Sequence, residues 1–202
     1  NLNLKPSFSN SFSISHNGYN FLKDRWMYQS VNVNITGNSI TNRQTFDRST
    51  GITTTTPENT NGNANISLWS GIGFKSKKLD TRFNIGPNLN YSRYAGFLDG
   101  KENVSKNLSA GFNLWASKVK DKKYDLNLGN DFRFNNNKTS LSSGNRNFSS
   151  NSFNANATIY YKKTWSINGE YEYNWRQKLN DGDKNLNNHL LNARLQKTFK
   201  NN

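Results

Sequence analysis

Tyr124-Asp125-Leu126-Asn127-Leu128-Gly129-Asn130-Asp131-Phe132-Arg133-Phe134 decides the fold. Its even positions carry Tyr, Leu, Leu, Asn, Phe and Phe; its odd positions carry Asp, Asn, Gly, Asp and Arg. Successive side chains of an extended chain point to opposite sides, so this segment reads as a strand with one oily and one wet face. Thr81 to Tyr91 repeats the pattern, with Phe83, Ile85, Leu89 and Tyr91 against Arg82, Asn84, Asn88 and Asn90. So does Trp165 to Trp175, with Trp165, Ile167, Tyr171, Tyr173 and Trp175 against Asn168, Glu170, Glu172 and Asn174.

The composition explains why such segregation is needed. Of 202 residues, Leu, Ile, Val and Phe supply 43, and Asn alone supplies 38. A conventional core is poorly supplied, since roughly 20% of those four residues marks the edge of disorder in a highly charged chain. Yet 13 Phe, 9 Tyr and 5 Trp are far too many aromatics for a disordered tail. The scarce apolar side chains must therefore collect on one surface. With no Cys there is no disulfide framework, thiolate zinc site or Cys nucleophile. No stretch approaches the roughly 18 apolar residues of a spanning helix. Average hydropathy cannot see a barrel whose strands are apolar on one side only.

The alternation predicts nine strands, at about 2–15, 25–40, 63–75, 80–91, 107–118, 123–134, 152–161, 164–176 and 188–199. Most approach the roughly 9–11 residues that cross a bilayer when tilted; soluble strands run about 5–6. The apolar phase of the second slips between Trp26 and Val31, which predicts a bulge. Pro87 is a blemish, since it cannot donate to a ladder. Short connections near 75–78, 118–123 and 161–164 alternate with long polar stretches at 41–62, 92–106, 135–151 and 177–187. Short turns at one end and long loops at the other are the architecture of an outer-membrane barrel. The expectation is an all-β, antiparallel up-and-down transmembrane β-barrel, 1–202 forming a single segment of its wall. Nine is odd, and the chain opens Asn1-Leu2-Asn3-Leu4 without an initiator Met or leader, so it reads as a portion of a larger barrel.

Each face then acquires a role. Phe83, Ile85, Leu89, Leu126, Leu128, Phe132, Ile167 and Tyr171 are expected to face lipid. Tyr91, Tyr124, Tyr161, Trp165 and Trp175, with Phe134, sit at strand ends and are expected to form aromatic girdles in the headgroup zones. Arg82, Asn84, Asp125, Asn127, Asp131, Arg133, Glu170, Glu172 and Arg194 are expected to face the lumen. The plainest task for these polar residues is a hydrated wall of cross-strand partners; a substrate path or a plug-docking surface is the functional alternative.

Residues Trp165 to Trp175, the loop Asn180-Asp181-Gly182-Asp183, and Asn188-His189-Leu190-Leu191-Asn192-Ala193-Arg194-Leu195-Gln196-Lys197-Thr198-Phe199 resemble the late barrel of the Bacteroidota outer-membrane β-barrel proteins, which are similar to TonB-dependent receptors. The resemblance covers about 63–199. It implies a barrel of about 22 strands, the plugged-lumen size class, in the bacterial outer membrane. It also implies an upstream plug, a TonB-type energy coupler or a surface lipoprotein as partners, beside outer-membrane lipid and lipopolysaccharide. A plug and final strands ending in an aromatic are absent from these residues.

Other chemistry reads weakly. Glu170 and Glu172 share a face like an acid/base couple, but nothing predicts the shaped, partly dry pocket that would separate their pKa values; no enzyme and no cofactor is expected. Asp181-Gly182-Asp183-Lys184-Asn185 opens like a calcium loop, yet Leu186 and Asn192 stand where Gly and Glu are required, so an Asp-Gly turn is expected. His16 and His189 read as surface or turn residues rather than metal ligands. The net charge is +14. Lys75, Lys77, Lys78, Lys118, Lys120, Lys122, Lys123, Lys162, Lys163, Lys197 and Lys200 fall at short turns, where they keep hairpins soluble or meet anionic headgroups. Arg93, Lys101, Lys106, Arg146 and Lys184, expected in long loops, could meet lipopolysaccharide phosphates. No nucleic-acid-reading motif occurs. The reading is a wall of a TonB-dependent-receptor-like transporter for a bulky solute. Its rivals are a scaffold barrel without transport and a soluble glycan-binding β-protein.

Overall fold

The computed structural model describes residues 3–141, 146–162, 164–180 and 182–199. It is all β apart from one short 3-10 turn, Phe21–Lys23. The strands are β1 (Phe8–Asn20), β2 (Arg25–Gly37), β3 (Ser39–Phe46), β4 (Thr53–Thr60), β5 (Asn63–Ser76), β6 (Thr81–Leu98), β7 (Lys101–Lys120), β8 (Tyr124–Thr139), β9 (Arg146–Tyr161), β10 (Trp165–Arg176) and β11 (Leu186–Lys197). Nine form one sheet in the order β1-β2-β5-β6-β7-β8-β9-β10-β11, and β3-β4 is a separate hairpin. Among the described residues the strands pair antiparallel throughout. Among the described residues β1 and β11 are not paired to one another, so the sheet is open.

The register carries one apolar face across all nine strands. Val33 pairs Ile66, Ile66 pairs Tyr91, Tyr91 pairs Leu108; Ala116 pairs Leu128, Leu128 pairs Ala155, Ala155 pairs Tyr171, Tyr171 pairs Leu191. Because side chains alternate, the opposite face is equally continuous; it is mostly polar, with Trp26, Tyr28, Trp69, Trp115 and Phe148 among its amides and charges.

Among the described residues no second layer packs on the apolar face. Among the described residues the sole buried hydrophobic side chain is Ala95, at 0% exposure, while Leu128 stays 49% exposed. The surface is 14836 Å², against about 9,700 Å² for a compact monomer of this mass. A sheet with one apolar face must bury it against something.

The hairpin tips form a staircase. Arg25 pairs Phe74, two residues short of the end of β5. Arg82 pairs Ser117, which puts Thr81 two residues short of the end of β7. Tyr124 pairs Ile159, again two short of Tyr161. The stagger is one residue per strand. With rises of about 3.3 Å and strand spacings of about 4.8 Å, strands whose tips share a plane lean by about 35°, within the roughly 35–45° that barrels require.

Several expectations need correction. The first strand starts at Phe8, not near residue 2, and runs on to Asn20. The 41–62 loop contains most of β3 and all of β4, whose large apolar side chains are limited to Ile40 and Phe46, too few and too far apart to show alternation. The 92–106 loop is strand except at Asp99-Gly100, both with positive φ (48° and 73°), the signature of a two-residue hairpin turn. The 135–151 loop is largely β8 and β9. Arg93, Lys101, Lys106 and Arg146 therefore lie in strands, as do His16 and His189, both on the apolar face. No bulge interrupts β2: its pairs run unbroken from Arg25 to Thr36. The phase slip arose because Trp26 and Tyr28 face the polar side. Lys163, Asp181 and Lys200 lie outside the described residues.

Candidate functional site

The apolar face is a bounded band. Tyr91, Phe134 and Trp175 are each the eleventh residue of an upward strand, counted from Thr81, Tyr124 and Trp165 after the short turns. Eleven residues leaning 35–45° span about 23–27 Å, against about 25 Å for the apolar belt of an outer-membrane barrel. At the lower end Tyr161 pairs Trp165 directly, Tyr124 opens β8, and Lys197 Nζ sits 4.9 Å from the Trp165 ring centre. Past the eleventh residue the same face presents Arg93, Lys106, Asn136 and Lys138 beside Ala95, Phe97 and Val104. Within the band Ile85, Leu89, Leu126, Leu128 and Ile167 are exposed. Phe83, Phe132 and Tyr171 are half-buried under neighbouring rings: Phe74–Phe83 at 5.6 Å, Phe112–Phe132 at 5.8 Å and Phe153–Tyr171 at 6.3 Å. A shallow apolar groove of about 400 Å³ runs among Phe74, Phe83, Leu114, Leu128 and Phe153. Two polar spots interrupt the band: Asn130 Nδ2 donates to Asn151 Oδ1 at 2.7 Å, and His16, Gln29 and Ser70 are register neighbours across β1, β2 and β5.

All nine polar candidates lie on the other face. Six of them, Asn84, Asp125, Asp131, Arg133, Glu170 and Glu172, hydrogen-bond to neighbours in the wall, as a wet face should, while Arg82, Asn127 and Arg194 make no hydrogen bond among the described residues. Asn156 donates to Glu170 at 3.1 Å and Asn168 to Thr158 at 2.9 Å; Asn174 donates to Glu172; Tyr160 donates to Asp125 at 2.8 Å. Glu170 and Glu172 thus act as acceptors for amides in the wall. Arg133 grips Asp131 with two bonds, Nε–Oδ1 at 2.5 Å and Nη2–Oδ2 at 3.2 Å. Arg194 and Glu170 border a second depression of about 440 Å³ near the short turns. Arg82, Lys75 and Asp80 line a smaller one, and Lys75 pairs Asp80 at 2.8 Å.

What the sequence did not reveal is a cluster of glycines on this polar face. Gly71, Gly73, Gly86, Gly111 and Gly129 all point to it. The Tyr28 ring lies where a Cβ on Gly71 would be, and the Trp26 ring occupies the same place at Gly73. Aromatic rings laid over strand glycines restore packing that glycine lacks. At Gly86 and Gly111 the obstacle is backbone: the Ser70 and Phe132 carbonyl oxygens lean over them. No pairing joins Ser70 and Gly71 to Gly86 and Pro87, and Pro87 has no N–H to offer there. A depression of about 360 Å³ opens at this fault, bordered by Tyr28, Trp69, Asn88, Asn113, Asp131 and Arg133. The signal was present as glycines confined to wet positions of adjacent strands.

The hairpin β3–β4 closes the long-loop end over β6. Thr60 Oγ1 donates to the Ala95 carbonyl at 3.0 Å, Ala95 N–H donates to Asn63 Oδ1 at 2.7 Å, and Arg43 stacks 5.5 Å above the Phe97 ring. Asn59 bonds Lys5 on both sides, ordering the start of the chain.

Among the described residues no cluster of three His, Asp or Glu could hold a metal ion, and no helix is long and apolar enough to cross a membrane. Comparison with protein-family models finds no match, and comparisons with curated proteins and with solved structures find none either.

Proposed function

We propose that this sheet is the wall of an outer-membrane β-barrel of the TonB-dependent-receptor type, through which a bulky solute crosses. The observation that carries the reading is the bounded band: eleven residues tall on β6, β8 and β10, mainly apolar on one face of the nine-stranded sheet, and closed by an aromatic residue at the eleventh position of each of those strands. Hydrocarbon is the cover that suits it, because burial in lipid needs no second protein layer and ends where the headgroups begin. The staircase of hairpin tips supports the same reading, since a barrel wall needs that lean. The polar face then lines the lumen, with its paired amides and carboxylates solvated by water or by a plug. The unpaired edges of β1 and β11 are where further wall would join. Lysines at the short turns suit an anionic headgroup zone.

Expression of the full-length gene in an envelope-bearing host tests it. The chain should stay in the outer-membrane fraction through alkaline carbonate washing and leave it only with detergent. Cells carrying the gene should take up a solute that deletion strains do not. Release into buffer without detergent would overturn the membrane reading. Firm membrane retention without any uptake difference would leave a scaffold barrel instead.

A further inference from the structure

We propose that the groove over Ala116 on the apolar face, with Lys118 and Lys120 at its foot, is a binding site for one anionic glycerophospholipid. This deepens the membrane reading and rests on it.

The groove comes from one small side chain. In register across β6, β7 and β8 stand Phe83, Ala116 and Leu128. The methyl of Ala116 leaves a trough between two large neighbours, headed by Leu114 on the same strand. The trough holds about 400 Å³. The strands that flank it stand two spacings apart, about 9.6 Å. A helix with its side chains needs about 10–12 Å, and it would have to share that width with Phe83 and Leu128. An acyl chain, one methylene wide, fits between them.

Charge marks the foot of the groove. Side chains alternate along a strand, so Lys118 and Lys120 follow Ala116 on the same face. Lys118 pairs Leu126, the third residue of β8, and Lys120 pairs Tyr124, the first. Lys118 thus lies inside the apolar band rather than below it. A lysine so placed lays its methylene stem along the apolar surface and carries its ammonium to the headgroup level. Neither lysine makes a hydrogen bond or ion pair among the described residues. The acidic groups of the adjoining turns are engaged, Asp80 with Lys75 at 2.8 Å and Asp121 with Lys122 at 3.7 Å. Lys162 and Lys197, at the neighbouring tips, lie instead over the Tyr161 and Trp165 rings.

Two ammonium groups rooted about 6.8 Å apart on one strand therefore lack a counter-ion. A phosphate diester between them supplies it, and the acyl chain it carries runs up the trough. Net charge selects the headgroup. In phosphatidylglycerol the phosphate is the sole charge, whereas a zwitterionic headgroup brings a cation of its own towards the lysines.

Native mass spectrometry of the full-length protein in detergent tests this, titrated with phosphatidylglycerol or with phosphatidylcholine of the same acyl chains. Saturable retention of phosphatidylglycerol is expected, with phosphatidylcholine held about tenfold more weakly. Replacing Lys118 and Lys120 together by Ala should remove the preference, and replacing both by Arg should keep it. Ala116→Phe fills the trough and leaves the lysines, and should weaken retention of phosphatidylglycerol about tenfold. Lys122→Ser with Lys123→Ser should change nothing, which separates the site from the general pull of a basic rim. Far-UV dichroism shows that each variant is folded. Equal retention of the two lipids, or undiminished retention by the double Ala variant and by Ala116→Phe, overturns the proposal. A detergent-dependent chain indifferent to headgroup would lose the lipid site and keep the barrel. A chain that needs no detergent would lose both.

Discussion

Leu128 is the fifth residue of an eleven-residue band, so it stands near the middle of the apolar belt, and Asn127 is its neighbour on the wet side. Leu128→Arg should impair insertion by about 2–4 kcal/mol, the cost of a guanidinium at the midplane of a barrel's lipid face. Asn127→Arg should be much milder. Folding titrations in urea with lipid vesicles measure both, and equal damage would contradict the assignment of faces. Gly86→Ala probes the fault beside Pro87. Its new methyl would meet the Ser70 carbonyl, so a loss of about 1–3 kcal/mol is expected in the same titration. Lys122 works in the other direction. It holds φ at 57° in a three-residue turn, where a Cβ is unfavourable, so Lys122→Gly should raise stability by up to about 1 kcal/mol. Of these residues only the alternating faces were legible beforehand. Leu128 and Asn127 announce themselves by period two. The strain at Lys122 does not, because nothing in a run of lysines marks which one turns left-handed.

At the scale of elements, β8 and β10 were readable because each keeps its alternation through the whole band. β3 and β4 were not, because Ser39-Ile40-Thr41-Asn42-Arg43-Gln44 and Thr53-Thr54-Thr55-Thr56 hold a single large apolar side chain, Ile40, and so no alternation; the β-propensity of the threonine run was their clearest local signal. The Asp99-Gly100 turn was a stronger signal, outweighed by the polarity of its flanks. In β2 the position of Trp26 and Tyr28 was unreadable without their partners, since only the register shows Gly73 and Gly71 opposite them. The hairpin β3–β4 is tied at its tip by Asp47, whose carboxylate accepts from the Ser49 hydroxyl at 2.7 Å and the Ser49 N–H at 2.8 Å. The Ser49 hydroxyl, then its N–H, hold the Asp47 pKa down to about 2 from the ordinary 3.8. A depressed carboxylate lends stability that is complete above the unfolded value and lost as pH falls through the folded one. Hydrogen exchange between pH 4 and pH 2 should therefore show the hairpin amides losing protection before those of β6 to β8. Asp47→Asn should abolish most of that pH dependence; retention of it would place the cause elsewhere.

At the largest scale the described residues form one nine-stranded layer and a small hairpin, and among them the apolar side of that layer lacks a protein cover. Its faces and the up-and-down order of its nine long strands followed from periodicity, because both depend on local alternation and short turns. Closure did not follow, because what joins the edges of β1 and β11 leaves no trace in their own alternation. The depression on the polar face was hidden for a related reason: Tyr28, Trp69, Asn113 and Arg133 come from four strands and meet only through the register. The absence of Cys from the chain permits a direct test of what wets each face. Single cysteines placed at 125 through 133, each carrying a nitroxide, report collisions with oxygen, which concentrates in hydrocarbon, and with a nickel chelate, which stays in water. In vesicles of outer-membrane lipid, even positions should collide more with oxygen and odd positions more with the chelate, alternating without a break through Leu128. Uniform chelate access at every position, or equal protection from both reagents at the even ones, would contradict the claim that hydrocarbon covers the apolar face.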